Sequence, residues 1–387
     1  MQRLAVHAPE TTETTPAVSD DGRALKLLRQ CGRRELTPEQ LAAVRALSAD
    51  LSSQEWVAML GLARQHGLAS LVFTHLAHAG ALPLAPTSIA SALRNAYCTT
   101  LVTNRQLEIE RDKVIAVFAR YGVEALLLKG VTLAARYYSE IALRPSHDID
   151  VLVRREQVGH CLRALRDMGY APKAGKGKAL DFGVLYYLEL DYRNRAGVRV
   201  EPHLALARLP EYRAALAVAQ VWARAQTIDI RGVAARYLHP WDELWYLSVH
   251  YSVPHEASRL IWLVDIAEVV RAQSQASDST DPGGWDWEGF VGETITHGLA
   301  MPVVIALQQA RDLLELELPA QVIPALLAAA ATPRERQAWL AAHSSSSDIG
   351  RLSRHLLSLP GAREKLAFLW GAGIVGMRKV RRYIGMA

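Results

Sequence analysis

One block keeps this chain from being a plain bundle of helices. Two short apolar runs, Val123–Leu128 and Ile149–Val153, flank a stretch with helical spacing. Runs that short suit buried strands. The second is entered through His147-Asp148-Ile149-Asp150, so acids stand where a strand begins. Strand alternation places Asp148 and Asp150 on one face, about 7 Å apart along the backbone. Ile149 and Val151 then point to the other face, into a core. Two carboxylates so close repel unless a cation lies between them. A divalent metal meets that need, and Mg²⁺ takes one or two carboxylates plus substrate phosphates. A plainer reading also stands: an Asp-x-Asp pair at a strand end simply facing water.

The rest of the chain frames this block. Residues 1–22 are polar and read as a disordered leader. A helical region is expected over 23–118: Thr37 caps one helix, Ser53-Gln54-Glu55-Trp56 opens the next, and a long helix covers Thr87 to Arg120. An α/β core is expected over 119–206: strand, helix, strand, a helix ending at Gly169, then a hairpin. Its strands are Val184–Arg193 and Val198–Leu204, around the turn Asn194-Arg195-Ala196-Gly197. From 207 to 387 the pattern returns to helix, broken by an exposed loop from Gln273 and a serine run after His343, and ends in a basic tail. The expected class is α+β, a mixed-sheet core between two helical regions.

More residues of chemical interest surround the aspartates. Lys129-Gly130 ends the first strand where a helix starts, a place where backbone N–H groups receive an anion. Gly130 permits close backbone approach and Lys129 neutralises a phosphate. Arg144 is placed to clamp a second phosphate, or else to pair with Asp148 or Asp150. Arg199, Glu201 and His203 alternate with apolar residues and so share a face. If their strand lies beside Ile149–Val153, Glu201 joins the two aspartates. Three carboxylates can hold two metals roughly 3.5–4 Å apart. The plainer reading leaves Glu201 as a solvent-facing hairpin acid.

Composition bounds the function only loosely. Lys and Arg total 44 against 39 Asp and Glu, a net charge of +5. That permits an anionic substrate or RNA without demanding one. The three cysteines, Cys31, Cys98 and Cys161, form no Cys-x-x-Cys pair, which fits a reducing cytoplasm and neither a disulfide framework nor a zinc site. The longest apolar run without charge or proline, Leu366–Met377, is too short to span a bilayer.

Leu128-Lys129-Gly130, then Arg144-Pro145-Ser146-His147-Asp148-Ile149-Asp150-Val151-Leu152-Val153, then Glu201-Pro202-His203-Leu204 resemble a bacterial family of uncharacterised nucleotidyltransferases. That family belongs to the DNA polymerase β-like superfamily. The likeness extends more weakly into the flanks, around Gln65-His66-Gly67-Leu68 and from His250 to Asp265. It departs at the phosphate turn, where Val131-Thr132 replace a second glycine or a serine, with Thr132 offering the hydroxyl one position late. The resemblance implies Mg²⁺- or Mn²⁺-dependent transfer of a nucleotidyl group from an NTP, with ATP the first expectation, to a hydroxyl acceptor. The acceptor would be a small molecule or a peptide in a biosynthetic pathway. Asp148, Asp150 and Glu201 would be catalytic and metal-binding, Glu201 alternatively the base. Lys129, Gly130, Thr132 and Arg144 would bind the nucleotide.

Two other functions stay open: a toxin-like transferase acting on tRNA ends, and a non-catalytic scaffold with a degenerate site. His203 and His250 are expected at a substrate pocket or as packed histidines. Asp265, set among apolar residues, needs an Arg or His partner on a neighbouring helix.

Overall fold

The computed structural model describes residues 22–172, 190–207, 209–230, 232–253, 259–277 and 285–343, with isolated positions after these. The leader, the basic loop after Pro172, much of the first hairpin strand, His255, the serine run and the basic tail lie outside the described residues.

The described residues open with five α-helices: α1 (Arg23–Gln30), α2 (Pro38–Ala49), α3 (Ser53–His66), α4 (Ala69–His78) and α5 (Thr87–Arg120). Their starts follow capping chemistry. The Thr37 hydroxyl accepts from the Gln40 N–H at 3.3 Å while the Thr37 N–H donates to the Gln40 side chain at 3.0 Å. Ser52 and Glu55 repeat the arrangement one helix later. The expected Thr37 cap and the bounds of the long helix both match.

Next come β1 (Leu126–Leu127), α6 (Val131–Tyr137), β2 (Ile149–Leu152), α7 (Val158–Asp167), β3 (Ala171–Pro172), β4 (Tyr192–Arg193) and β5 (Arg199–His203). The hairpin forms as its turn residues require: β4 pairs antiparallel with β5, Tyr192 opposite Val200. The helical remainder expected from 207 needs correction. Two short helices, α8 (Pro210–Arg213) and α9 (Val218–Arg224), lead into a second hairpin, β6 (Gln226–Ile230) and β7 (Val233–Tyr237). Strand β6 is mostly solvent-facing and β7 only partly buried, so their alternation carries little apolar signal. Helices α10 (Pro240–Ser252), α11 (Leu260–Ser277), α12 (Trp287–His297), α13 (Ala300–Leu314), α14 (Val322–Ala330) and α15 (Pro333–His343) complete the described chain. Helix α11 runs past Gln273, where a loop was expected. No described helix is long and apolar enough to cross a membrane.

The sheet is mixed, with strand order β3-β4-β5-β2-β1-β7-β6. β2 runs parallel to β5 and antiparallel to β1, and β7 pairs parallel with β1. Mixed sheet with flanking helices makes the fold α+β, as expected.

The sheet separates two cores. On one face Leu127, Ile149, Val151 and Val200 pack with Val114, Ile115 and Phe118 of α5 and Leu162 and Leu165 of α7. On the other, Leu126, Leu128 and Leu152 join the larger core shared with α1, α3, α4, α10, α11 and α13. Asp150 has the parity of Leu152, so strand alternation aims it at the second face, towards the helical half.

Buried ion pairs bind the sheet to those helices. Arg136 reaches Glu243 of α10 at 2.9 Å, and the Tyr137 hydroxyl donates to the same carboxylate at 2.5 Å. Arg144 and the Tyr138 hydroxyl both donate to Asp265 of α11, at 2.8 and 2.7 Å. The last residues of α6 and those just after it thus anchor to two different helices.

Candidate functional site

The parallel register sets Asp150 directly beside Glu201 and Leu152 beside His203. The condition posed by the sequence is therefore met: the Asp strand and the Glu strand are adjacent, and Asp148, Asp150, Arg199, Glu201 and His203 share one side. Pro202, which has no N–H to give, pairs with Val151 and points its ring away from this side.

Asp150 is the centre of the cluster and only 2% exposed. Its two oxygens have different surroundings. Oδ1 receives His203 Nε2 at 2.8 Å and lies 3.6 Å from Lys129 Nζ. Oδ2 is buried and has no hydrogen-bond partner among the described residues. A buried carboxylate oxygen left so is costly unless a cation or donor takes it. Gly130 faces this oxygen. Its φ is +58°, and a Cβ there would sit 3.3 Å from the Asp148 carbonyl and 3.8 Å from Asp150 Oδ2. Only glycine adopts that backbone while leaving the ground beside Oδ2 open.

The electrostatics follow from this crowding. Burial alone would raise Asp150. Lys129, the His203 hydrogen bond and the nearby His203 and His250 outweigh it and hold the carboxyl well below its ordinary range. Burial and the charge of Asp150 push Asp148 up. Burial, then Asp150 and Asp148, push Glu201 up to about 7. Burial disfavours the Lys129 ammonium, but Asp150, Tyr246, Asp148 and Glu201 overcome this and hold its pKa above normal. Burial leads at Asp148 and Glu201, and the mutual repulsion of the carboxylates adds to it.

Arg199 answers part of that repulsion. One guanidinium nitrogen donates to Asp148 Oδ2, and the other lies 3.2 Å from Glu201 Oε1. Its alternation with Glu201 showed a shared face in the sequence. The bridge itself depends on β2 lying beside β5.

The donor set fits a divalent cation. Ligand atoms of Asp150, Glu201 and His203 lie within 4.8 Å of one another, and the unpartnered Asp150 Oδ2 supplies an oxygen to the same ground. The two carboxylates suit Mg²⁺ or Mn²⁺, while the His203 ring is turned to Asp150 Oδ1 and orients that carboxylate.

The remaining expected residues separate. Lys129 and Gly130 join the cluster. Thr132 is buried in the first turn of α6, its N–H donating to the Lys129 carbonyl at 3.2 Å. His250 on α10 is near enough to act on Asp150, with Trp262 stacked edge-on at 5.5 Å. Arg144 is not brought to the carboxylate face. It is 5% exposed and committed to Asp265, with Ser146 Oγ at 3.2 Å, while Asn104 of α5 donates to its carbonyl at 2.8 Å. Asp265 has the Arg partner its sequence surroundings required, but that partner comes from the extended segment before β2 and not from the neighbouring helix that was expected. Tyr246, which touches the electrostatics of Lys129 from α10, had no signal beyond membership of an aromatic helix.

A family model described as an uncharacterised nucleotidyltransferase matches residues 52–336, most of the chain. Among solved structures, an antigenic nucleotidyltransferase-like protein from Paracoccidioides brasiliensis is similar at 12% identity, with a TM-score of 0.37. That match covers 56% of this chain and 95% of the other. No curated protein matches the sequence.

Proposed function

We propose a reaction for a chain that belongs to the uncharacterised nucleotidyltransferase family: transfer of a nucleotidyl group from a nucleoside triphosphate, ATP first, to a hydroxyl acceptor. The observation that supports it is the register of Asp150 with Glu201, which gathers three carboxylates beside Lys129 and Gly130. A divalent cation, Mg²⁺ or Mn²⁺, held by Asp148, Asp150 and Glu201, would neutralise phosphate charge and polarise the α-phosphorus.

The protein's own residues do the positioning. His203 and Lys129 hold Asp150 by Oδ1, so that Oδ2 faces the Gly130 side. Lys129 faces the triphosphate as a fixed positive charge. Gly130 keeps the backbone clear for a phosphate to approach. Arg144, tied to Asp265, fixes the loop that delivers Asp148 rather than holding a phosphate. The acceptor oxygen bonds to the α-phosphorus, pyrophosphate leaves, and the hydroxyl proton passes to solvent. His250 and Trp262 wall the acceptor side from the helical half. The acceptor is a small molecule or peptide of a biosynthetic pathway, and the setting is a reducing cytoplasm, which the three unbridged cysteines support.

The test is incubation with ATP labelled at the α-phosphate, Mg²⁺ and a cell extract, with labelled products identified by mass spectrometry. A labelled acceptor is expected with wild type and not with Asp148→Ala or Asp150→Ala. In a parallel incubation with ATP labelled at the γ-phosphate, label on the acceptor would sink the reading.

A further inference from the structure

We propose that Arg199 is a built-in counter-cation: it bridges Asp148 and Glu201 until a divalent cation takes its place, and then turns to the phosphates of the bound nucleotide. The proposal rests on the metal reading above and goes beyond it to a residue that reading does not use.

The two cations of the cluster are placed differently. Lys129 sits on the inner side, against Asp150 Oδ1, where His203 also lies. Arg199 comes from the rim on β5, its side chain 27% exposed, and reaches across to Asp148 and Glu201. Its fork engages Asp148 Oδ2 and Glu201 Oε1. A divalent metal gripped by these carboxylates needs oxygens at about 2.1 Å. The guanidinium and the metal therefore compete for the charge of the same two carboxylates.

Charge points the same way. Asp148, Asp150 and Glu201 are opposed by Lys129 and Arg199. With both cations in place, a divalent ion would carry the cluster past neutrality. With Arg199 withdrawn, the ion and Lys129 balance the three carboxylates. Lys129 is held against the buried carboxylate of Asp150, whereas Arg199 reaches in from the rim with more of its side chain in solvent, 27% against 19%. A guanidinium swung off two carboxylates at the mouth of a phosphate site presents the planar fork that matches phosphate oxygens. The exchange thus removes a competitor of the metal and delivers a phosphate ligand in one movement.

The experiment is calorimetric titration of Mn²⁺ alone, then of α,β-methylene ATP at saturating Mn²⁺, into wild type and Arg199→Met. Arg199→Gln serves as a second variant if the first does not melt cooperatively. The expected pattern has opposite signs: Mn²⁺ binds about tenfold tighter to the variant, and the nucleotide analogue binds about tenfold weaker, each about 1.4 kcal/mol. A merely structural arginine would weaken both, and that result, or an unchanged Mn²⁺ affinity, or an unchanged nucleotide affinity, overturns the proposal. Mutation-free support comes from phenylglyoxal labelling of wild type: modification of Arg199, mapped by mass spectrometry, should rise on adding Mn²⁺. A fall would contradict the exchange. If neither protein binds Mn²⁺, the metal reading fails with it. If wild type binds and the variant binds no tighter, only the exchange fails.

Discussion

Asp265→Ala should be among the most damaging single changes in this protein. The carboxylate accepts Arg144 Nε at 3.1 Å, Arg144 Nη2 at 2.8 Å and the Tyr138 hydroxyl at 2.7 Å. Asp265 is 1% exposed and Arg144 5%. Removing the acid leaves a buried guanidinium whose remaining partners are the Pro145 carbonyl and the Ser146 hydroxyl, both neutral. Breaking one side of a buried pair costs about 3–5 kcal/mol. Urea denaturation followed by tryptophan fluorescence and circular dichroism measures it. Replacing both partners, with Arg144→Met and Asp265→Leu, removes the stranded charge and should recover most of the loss, to within about 1–2 kcal/mol of wild type. The double variant also separates two roles for Arg144. As a strut, it leaves Mn²⁺ and nucleotide-analogue affinities within a few-fold of wild type. A cost below about 1 kcal/mol for Asp265→Ala, or a double variant no more stable than the single one, would refute the energetic argument. Retained metal binding with lost nucleotide binding would return Arg144 to the phosphates.

Glu201, pushed up to about 7, makes stability without metal fall as pH rises from the ordinary carboxyl range through 7, because the folded state holds the proton that the unfolded chain has released. His66, His75, His147 and His239, all lowered by burial, pull the other way as pH rises through the ordinary histidine range. The test is therefore the difference between wild type and Glu201→Gln in melting temperature at pH 5.5 and 8 with EDTA, and a pH-independent difference contradicts it. For the same reason Mn²⁺ should bind about tenfold tighter per pH unit as pH rises below 7, read by calorimetry, and a flat profile contradicts a Glu201 ligand. Gly130→Ala should lose about 1–2 kcal/mol and weaken Mn²⁺ binding, given its φ of +58° and the Asp148 carbonyl 3.3 Å from the new Cβ, and an unchanged melt refutes the strain. Native protein should show one thiol reactive to Ellman's reagent, the exposed Cys98, and three after denaturation, since Cys31 and Cys161 are buried with thiols pushed up to about 12.

Local signals were enough for several parts of this protein. Thr37 declared a cap because its hydroxyl needs only a nearby N–H. The hairpin around Asn194–Gly197 was legible because turn chemistry is local, with the Val198 N–H donating to the Asn194 side chain at 3.0 Å. Asp148 and Asp150 shared a face by strand period alone. The second hairpin was not legible, since β6 is exposed at the sheet edge and owes its place to β7 pairing with β1, a partner about a hundred residues earlier.

The sequence by itself determined which residues carry charge, which faces they share along each strand, and where the capped helices of the first third begin. Those properties depend on neighbours a few positions away. Only the tertiary structure decided that Glu201 stands beside Asp150, that Arg199 spans Asp148 and Glu201, and that Arg144 turns inward to Asp265. Each of these is a contact between segments roughly fifty to a hundred and twenty residues apart, and no local period records which distant partner a buried charge will find.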